Sequence, residues 1–341
     1  MAKVVTFGEI MLRLAPEGYL RFVQAEKFTA VYGGGEANVA LSLSNYGIDA
    51  AFVTKLPKNA IGDAAINALR RFGVDTTKVV RGGNRVGIYF CEKGASQRPS
   101  KVVYDRAGAS IAEAKKGDFN WDEIFTSDTE WFHFTGITPA LGANVAELCL
   151  EACQAAKAKG IKVSCDLNYR KNLWSREEAG QAMAKLMEYV DVCIANEEDA
   201  ADVFGIKSAG TDVTGGHLNH EGYKDVAAQL VERFKFEKVA ITLRGSISAS
   251  DNTWAAMLYD GKESYFSKEY NVRIVDRVGG GDSFGGGLIY GLLSNMDNQS
   301  ALEFAVAASC LKHTIEGDAN HVTVDEVKTL AGGDGSGRVQ R

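Results

Sequence analysis

The chain has 341 residues, including 37 glycines and 4 prolines, and a formal net charge of -6. This length suits one large α/β unit, and an excess of glycine without proline is not the composition of a disordered chain. No run of basic residues exceeds two. Because the positive surface expected of a nucleic-acid-binding protein is missing, a small molecule is the favoured partner.

The cysteines and the apolar segments narrow the class of protein further. The six cysteines form no Cys-x-x-Cys pair and no Cys/His cluster at zinc spacing, so we expect reduced, mostly buried thiols. The first residues show a strand pattern with charges inside it rather than a signal peptide. No uncharged run reaches the roughly 18 to 20 residues that span a bilayer. The sequence therefore predicts a cytoplasmic protein without a membrane segment.

In chain order, residues 3–12 read as a strand and residues 33–47 as a helix of an α/β layer. Two other stretches alternate apolar and polar residues, as half-exposed antiparallel strands do. We interpret them as a small sheet folded over the edge of the main one, a lid formed by segments of about 13–32 and 84–111. Two ordinary surface hairpins are the alternative.

From about residue 130 onward, short β-branched runs alternate with helical periods, which predicts βα units and a parallel sheet. The predicted strands are 131–136, 161–168, 191–196 and 238–245. A helix is predicted within 142–160, with one apolar stripe facing the sheet: Val145, Leu148, Cys149, Ala152, Cys153 and Ala156. The polar, glycine-rich stretch 207–222 is expected to be a surface insertion, and 331–341 a disordered tail.

Glycines crowd a single aspartate in the stretch RVGGGDSFGGG. Gly279, Gly280 and Gly281 let backbone N–H groups converge, and the start of the following helix adds partial positive charge, so we predict an anion hole for phosphate. Asp282 stands at its rim. It is either a helix cap or a general base that takes the proton of a hydroxyl attacking a γ-phosphoryl group. We expect the helix end to keep this carboxylate ionised at neutral pH.

Other nucleotide-binding motifs are missing from the sequence. There is no G-x-x-x-x-G-K-[ST] motif, and Gly8 on the first strand is not part of a G-x-G-x-x-G. The set of motifs typical of protein kinases is also absent. These patterns disfavour a P-loop enzyme, a dinucleotide-dependent dehydrogenase and a protein kinase.

The stretch 275–293 resembles the D-T-x-G-A-G-D signature of the ribokinase-like, or PfkB, family of sugar kinases, and 32–47 resembles its N-terminal glycine motif. The resemblance implies an α/β, three-layer ribokinase-like sandwich over residues 1–330, with a mostly parallel central sheet and a small β-sheet lid. It also implies ATP and Mg²⁺ as cofactors. Arg277 and Val278 stand where many relatives have Thr-x, which leaves open whether the K⁺ site of some relatives exists here.

Three stretches, 102–111, 165–174 and 310–318, resemble the 2-keto-3-deoxygluconate kinases of that family. A sugar acid needs a cation for its carboxylate, and the guanidinium fork of arginine fits one bidentately. Arg106 and Arg170 are the candidates. The alternative for each arginine is a solvated charge or a salt bridge.

The predicted substrate contacts lie on several elements. Arg106 and Tyr104 share one face of a predicted strand, and Tyr89 lies on its neighbour. Arg170 follows the carboxyl end of a parallel strand, where open α/β sheets bind ligands, and shares a face with Asp166 and Asn168 if that strand continues. By resemblance, Gly34 and Asp318 complete the substrate contacts, with a plain tight turn and a solvated carboxylate as alternatives.

The resemblance also implies the nucleotide contacts. Residues 195–200 are similar to the N-x-x-E element that helps to place phosphate-bound Mg²⁺ through water, with Asp199 in place of Glu three residues after Asn196. A helix cap is the alternative. The further nucleotide-binding residues are predicted to be Asn168, Thr242, Arg244 and Gly245. A strand-ending turn with an exposed arginine is the alternative for the last two.

Together these features predict a kinase that phosphorylates the terminal hydroxyl of 2-keto-3-deoxygluconate with ATP. One alternative is a kinase of a neutral sugar such as fructose or ribose, and another is a non-catalytic sugar-acid sensor. The exposed strands of the lid need cover, which favours a homo-oligomer formed through the lid. The sequence does not decide between the gluconate and galactonate epimers.

Overall fold

The computed structural model describes residues 2–196, 198–207 and 220–337. The strands are β1 (Val4–Phe7), β2 (Met11–Pro16), β3 (Phe28–Gly33), β4 (Ala50–Val53), β5 (Lys55–Leu56), β6 (Val80–Arg81), β7 (Gly87–Glu92), β8 (Lys101–Asp105), β9 (Trp131–Thr135), β10 (Lys162–Asp166), β11 (Val192–Asn196), β12 (Lys238–Ser246), β13 (Asp251–Tyr259), β14 (Ser264–Phe266) and β15 (Tyr270–Arg273). The helices are α1 (Gly35–Asn45), α2 (Ala60–Arg70), α3 (Trp121–Ile124), α4 (Ala143–Ala158), α5 (Arg176–Met187), α6 (Asp199–Phe204), α7 (His220–Phe234), α8 (Gly280–Leu293), α9 (Asn298–Lys312) and α10 (Val324–Ala331).

The main sheet of the described residues runs in the order β14-β13-β12-β11-β10-β9-β1-β4, and β15 also pairs with β13. Six strands of this sheet, β4, β1, β9, β10, β11 and β12, are parallel to one another. The remaining three, β13, β14 and β15, form an antiparallel edge. Parallel strands point their carboxyl ends to one edge of the sheet. This arrangement confirms the mostly parallel sheet predicted from the sequence.

Two apolar cores lie on the two faces of the main sheet, because successive strand side chains point in opposite directions. Val5 and Phe7 of β1 belong to the core that contains α4 and α5, whereas Val4 belongs to the core that contains α1, α8 and α9. The predicted stripe of α4 is completely formed: Val145, Leu148, Cys149, Ala152, Cys153 and Ala156 are all buried. The result is a sheet covered by helices on both faces.

A separate four-stranded sheet, the small sheet, is ordered β3-β2-β7-β8. Its strands β2 and β7 are parallel to each other, and the two outer pairs are antiparallel. The two stretches with alternating apolar and polar residues therefore join one sheet instead of forming independent hairpins. Every residue of the edge strand β8 is exposed.

The described residues include only part of two segments that were predicted from the sequence. Residues 208–219 of the expected insertion and 338–341 of the expected tail lie outside the described residues. The six cysteines are free thiols, and all except Cys310 are buried, as expected. None of the helices in the described ranges is long and apolar enough to cross a bilayer.

Candidate active site

A cavity of about 460 Å³ lies between the carboxyl ends of the parallel strands, the start of α8 and the small sheet. It is lined by fifteen of the residues that the sequence analysis selected: Gly34, Tyr89, Tyr104, Arg106, Asn168, Arg170, Asn196, Asp199, Thr242, Arg244, Gly279, Gly280, Gly281, Asp282 and Asp318. Gly245 is not part of the lining. It pairs with Thr253 of β13, whose side chain would collide with a Cβ at this position, so its small size serves the strand pairing.

The predicted anion hole is the N-terminus of α8. Gly279 precedes the helix in the left-handed region, with φ of 82°, and a Cβ there would overlap the carbonyl oxygen of Asp318. The Gly280 amide donates to the carbonyl of Arg277 at 3.3 Å. Among the described residues, the amides of Gly281 and Asp282 have no acceptor. These two amides are free to bind an anion, whereas Gly279 contributes its backbone conformation.

Asp282 is held by a neighbouring helix. Its Oδ2 accepts a hydrogen bond of 2.7 Å from Nδ2 of Asn38 in α1, and no described helix amide donates to this carboxylate. The helix-cap interpretation is therefore not supported. Burial raises the pKa of Asp282 to about 6, although the hydrogen bond from Asn38 and the charges of Arg170 and Lys312 lower it.

The sequence led us to expect that the helix end keeps this carboxylate ionised at neutral pH. Burial is instead the largest influence on its pKa and raises it, and the hydrogen bond that favours the ionised form comes from Asn38 rather than from a helix amide. With a pKa of about 6, the Asp282 carboxylate is still mostly ionised at pH 7. A carboxylate with a pKa close to the operating pH is well suited to general-base catalysis.

Arg170 is a cation of the cavity without a carboxylate partner among the described residues. Its Nη1 donates to the carbonyl of Tyr169 at 3.0 Å. The expected strand continuation is wrong, because β10 ends at Asp166 and Asn168 is left-handed, with φ of 40°. The loop nevertheless brings Asp166, Asn168 and Arg170 to the same cavity.

Arg106 has a partner that the sequence analysis missed. It forms an ion pair with Glu9, which follows the carboxyl end of β1, and its guanidinium lies over the Tyr104 ring at 5.3 Å. Burial raises the pKa of Glu9, and the charge of Arg106 opposes this rise. The salt-bridge interpretation thus applies to Arg106. Within the described residues, Arg106 Nε and Glu9 Oε1 remain buried without hydrogen-bond partners.

A buried ionic network lies behind the cavity wall. Arg13 of β2 is 1% exposed and pairs with Asp276 at 2.6 Å and with Asp318 at 2.7 Å. Tyr89 of β7 donates a short hydrogen bond to Asp318. Asp318 is therefore buried and bonded rather than solvated. The network fastens the small sheet to the segment that leads into Gly279.

Asn196 and Asp199 form a reciprocal cap at the start of α6. Asn196 Oδ1 accepts from the amides of Glu198 and Asp199, at 2.8 and 3.0 Å. In return, Asp199 accepts from the amide of Asn196 at 3.0 Å, and also from that of Tyr169 at 3.1 Å. The capping interpretation therefore holds for this pair, although both residues also line the cavity.

Three carboxylates face one another across the cavity. Burial and the charges of Asp199 and Asp282 hold the pKa of Asp166 well above its usual range, and the charge of Arg170 opposes this rise. Such mutual repulsion favours a bound cation. The described residues contain no group of three or more His, Cys, Asp or Glu that could hold a metal ion alone, so the phosphates of a nucleotide would have to supply the other ligands.

Two further arginines, Arg244 and Arg277, give the cavity lining positive charge. Arg244 is exposed, and Arg277 is half-buried and donates to the carbonyl of Ala249 at 3.0 Å. Burial and the charge of Arg244 lower the pKa of Arg277. Arg277 was noted in the sequence only as a departure from the family signature. His313, packed beneath Gly280, is neutral because burial lowers its pKa to about 4.

Comparisons with known proteins identify the class to which this α/β chain belongs. The model of the pfkB family of carbohydrate kinases matches residues 1–324. The chain therefore belongs to the pfkB family of carbohydrate kinases, as its motifs predicted.

Individual relatives support the same family. The chain is 34% identical to the 2-dehydro-3-deoxygalactonokinase of Haloferax volcanii, with 98% of each chain covered. The crystal structure of 2-dehydro-3-deoxygluconokinase from Thermotoga maritima has 54% identity and a TM-score of 0.93, covering 97% of this chain and 98% of that one. A putative ribokinase from E. coli, solved with ATP and Mg²⁺, shares the fold, with a TM-score of 0.81, 21% identity and 97% and 99% coverage. The ribokinase-like fold is thereby confirmed.

Proposed function

We propose that this protein transfers the γ-phosphoryl group of ATP to the terminal hydroxyl of 2-keto-3-deoxygluconate. The observation that carries the proposal is the position of Asp282 beside two free amides at the N-terminus of α8, in the cavity that also holds Arg170. The names of the relatives, which act on the deoxygluconate and deoxygalactonate acids, support the substrate class.

In the proposed mechanism, the substrate hydroxyl gives its proton to the Asp282 carboxylate. The oxygen of that hydroxyl attacks the γ-phosphorus. The bond from this phosphorus to the bridging oxygen of ATP breaks, and ADP leaves. The amides of Gly281 and Asp282 stabilise the charge on the transferring group. Asn38 keeps the carboxylate oriented through its hydrogen bond. The small sheet acts as a lid that excludes competing water.

The substrate carboxylate is assigned to Arg170, because this arginine lines the cavity and forms no ion pair with a carboxylate of the described residues, although its charge lowers the pKa of Asp166, Asp199 and Asp282. Arg106 and its partner Glu9 both line the cavity, so this ion pair lies where polar groups of the sugar acid would be bound. The charge of Arg106 is partly compensated by Glu9. We therefore assign Arg106 to orienting the substrate, and Arg170 to neutralising the substrate carboxylate.

We assign Mg²⁺ to the side of the cavity formed by Asp166 and Asp199. Burial raises the pKa of Asp166 most, and the charges of Asp199 and Asp282 raise it further; a bound cation would relieve this second contribution. When bound with ATP, Mg²⁺ would neutralise charge on the phosphates, with these carboxylates contacting it through water. Arg244 and Arg277, which also line the cavity, attract the triphosphate. The free thiols are consistent with a protein that functions in the cytoplasm.

The test is ADP release in a coupled assay with ATP and Mg²⁺. The acceptors are 2-keto-3-deoxygluconate, 2-keto-3-deoxygalactonate, fructose and ribose. We expect a strong preference for the keto acids, a fall in kcat of at least about 100-fold in Asp282→Ala, and a higher KM for keto acid in Arg170→Ala. Preferred turnover of fructose or ribose would overturn the substrate. No turnover of any acceptor, with the keto acid still bound, would indicate a sensor instead.

A further inference from the structure

Lys312, the last residue of α9, is completely buried. Its Nζ donates to the carbonyl oxygens of Asp276 at 3.1 Å and of Ile315 at 3.2 Å. It forms no ion pair with a carboxylate of the described residues. A lysine buried without an ion-pair partner is costly, so its charge needs a specific reason to be at this place.

The two carbonyls belong to the two chain segments that flank the anion hole. Asp276 precedes Gly279, where the backbone makes its left-handed turn into α8. Ile315 precedes Asp318, whose carbonyl oxygen packs against that same glycine. By binding both carbonyls, the ammonium ties together the two segments that flank the anion hole.

The charge of the ammonium also affects the pKa of the proposed base. Burial lowers the pKa of Lys312 to about 8, although the carboxylates of Asp276 and Asp318 raise it, so the side chain is charged at pH 7. Its charge in turn lowers the pKa of Asp282. In other proteins, backbone carbonyl oxygens that converge on one point bind a compact cation such as K⁺ or NH₄⁺.

We propose that Lys312 is a tethered substitute for a monovalent cation, and that this kinase therefore needs no K⁺, Na⁺ or NH₄⁺. Lys312 is a positioning residue: it acts through the two segments that shape the anion hole and does not touch the substrate. This inference rests on the proposed kinase function for its activity readout. It also makes a prediction independent of the substrate, because truncation of the side chain leaves a carbonyl-lined space that NH₄⁺ or K⁺ can fill.

The experiment compares the wild type with Lys312→Ala and Lys312→Met in a buffer whose only monovalent cation is tetramethylammonium. Wild-type kcat should change less than twofold when KCl or NH₄Cl is added. We expect Lys312→Ala to lose at least tenfold in kcat and to recover at least fivefold in NH₄Cl or KCl. Lys312→Met should be equally impaired and should not recover, since its side chain still fills the space.

Thermal unfolding of the same variants supplies the readout that needs no substrate. NH₄Cl, relative to equal tetramethylammonium chloride, should raise the Tm of Lys312→Ala more than that of the wild type or of Lys312→Met. Lys162→Ala, which removes an exposed lysine on β10, is the control for general salt effects and should behave as the wild type. If Lys312→Ala is folded but neither its activity nor its Tm responds to NH₄⁺ or K⁺, the proposal is wrong.

Two further outcomes separate this inference from the proposed function. A wild type that requires added K⁺ would overturn the role of Lys312 while leaving the kinase assignment intact. A wild type that phosphorylates none of the acceptors would overturn the proposed function, and the selective Tm response of Lys312→Ala to NH₄⁺ would still decide whether the ammonium occupies a cation site.

Discussion

At the scale of single residues, the proposed base depends on a partner far away in the sequence. Asn38 lies on α1, 244 positions before Asp282, and its side chain is the donor that holds the carboxylate. Burial favours the protonated form of Asp282, whereas this hydrogen bond and nearby cations favour the ionised form. The balance leaves the carboxylate able to accept a proton near neutral pH.

This balance predicts the pH dependence of the reaction. The pKa of Asp282 is raised to about 6, so the carboxylate gains a proton as the pH falls through that value and can no longer act as a base. We expect kcat/KM to be level above the pKa and to fall about tenfold per pH unit below it. The measurement is kcat/KM for the keto acid between pH 4.5 and 8.

Asn38→Ala provides the comparison for this profile. Loss of the hydrogen bond that stabilises the ionised carboxylate should move the inflection of kcat/KM toward higher pH. A wild-type profile that stays level down to pH 5, in a protein that remains folded there, would show that Asp282 is not the group that controls the reaction.

At the scale of elements, α8 is placed by its glycines as much as by its apolar residues. A Cβ on Gly287 would lie 2.8 Å from the Ala305 Cα of α9, which is closer than real side chains approach. A Cβ on Gly285 would meet Ile194 at 3.5 Å, an ordinary contact. The close approach of α8 and α9 fixes the start of α8, and thereby the anion hole, relative to Lys312.

These two glycines give a matched pair of variants in the same helix. Gly287→Ala should destabilise the protein by about 1–3 kcal/mol, because the new methyl group forces the α8 and α9 backbones apart. Gly285→Ala should be neutral or stabilising by up to about 1 kcal/mol, since alanine favours the helix and the methyl group fits. Urea unfolding of both variants measures the difference. Equal stabilities would contradict the proposed close packing.

At the scale of the whole molecule, the small sheet has one face over the cavity and one turned away from it. The inner face carries Arg13 and Tyr89, which bond to the segments around the anion hole. Five apolar side chains of the outer face are available to solvent, with Phe28 and Val103 exposed and the others half-buried: Leu14, Phe28, Ile88, Phe90 and Val103. An exposed apolar sheet face of this kind favours association with a second copy.

The oligomer proposed through this face can be tested with one substitution. Val103 is 44% exposed on β8, and Val103→Asp should convert a dimer into a monomer because it places an unpaired charge in an apolar contact. Light scattering after size exclusion measures the mass. Ile247→Asp, at an apolar position 68% exposed outside the small sheet, should leave the mass unchanged. A wild-type monomer, or a Val103→Asp dimer, would contradict the proposal.

The sequence by itself determined the fold class, the apolar stripe of α4 and the glycine-flanked Asp282, since strand alternation, helical spacing and a contiguous motif are local patterns. It also selected about half of the residues that line the cavity. The tertiary structure alone decided what those residues bond to. Arg106 pairs with Glu9 across 97 positions, and Arg13 pairs with Asp318 across 305.

Lys312 shows the physical reason most clearly. In the sequence it is an ordinary lysine near the end of a helix, and lysines are usually exposed. Its burial, and its bonds to the carbonyls of Asp276 and Ile315, follow from how α9 packs against the segment before α8. A hydrogen bond to a distant backbone carbonyl leaves no trace in local periodicity or composition, because every residue offers the same carbonyl group. Three-dimensional packing alone selects which one is used.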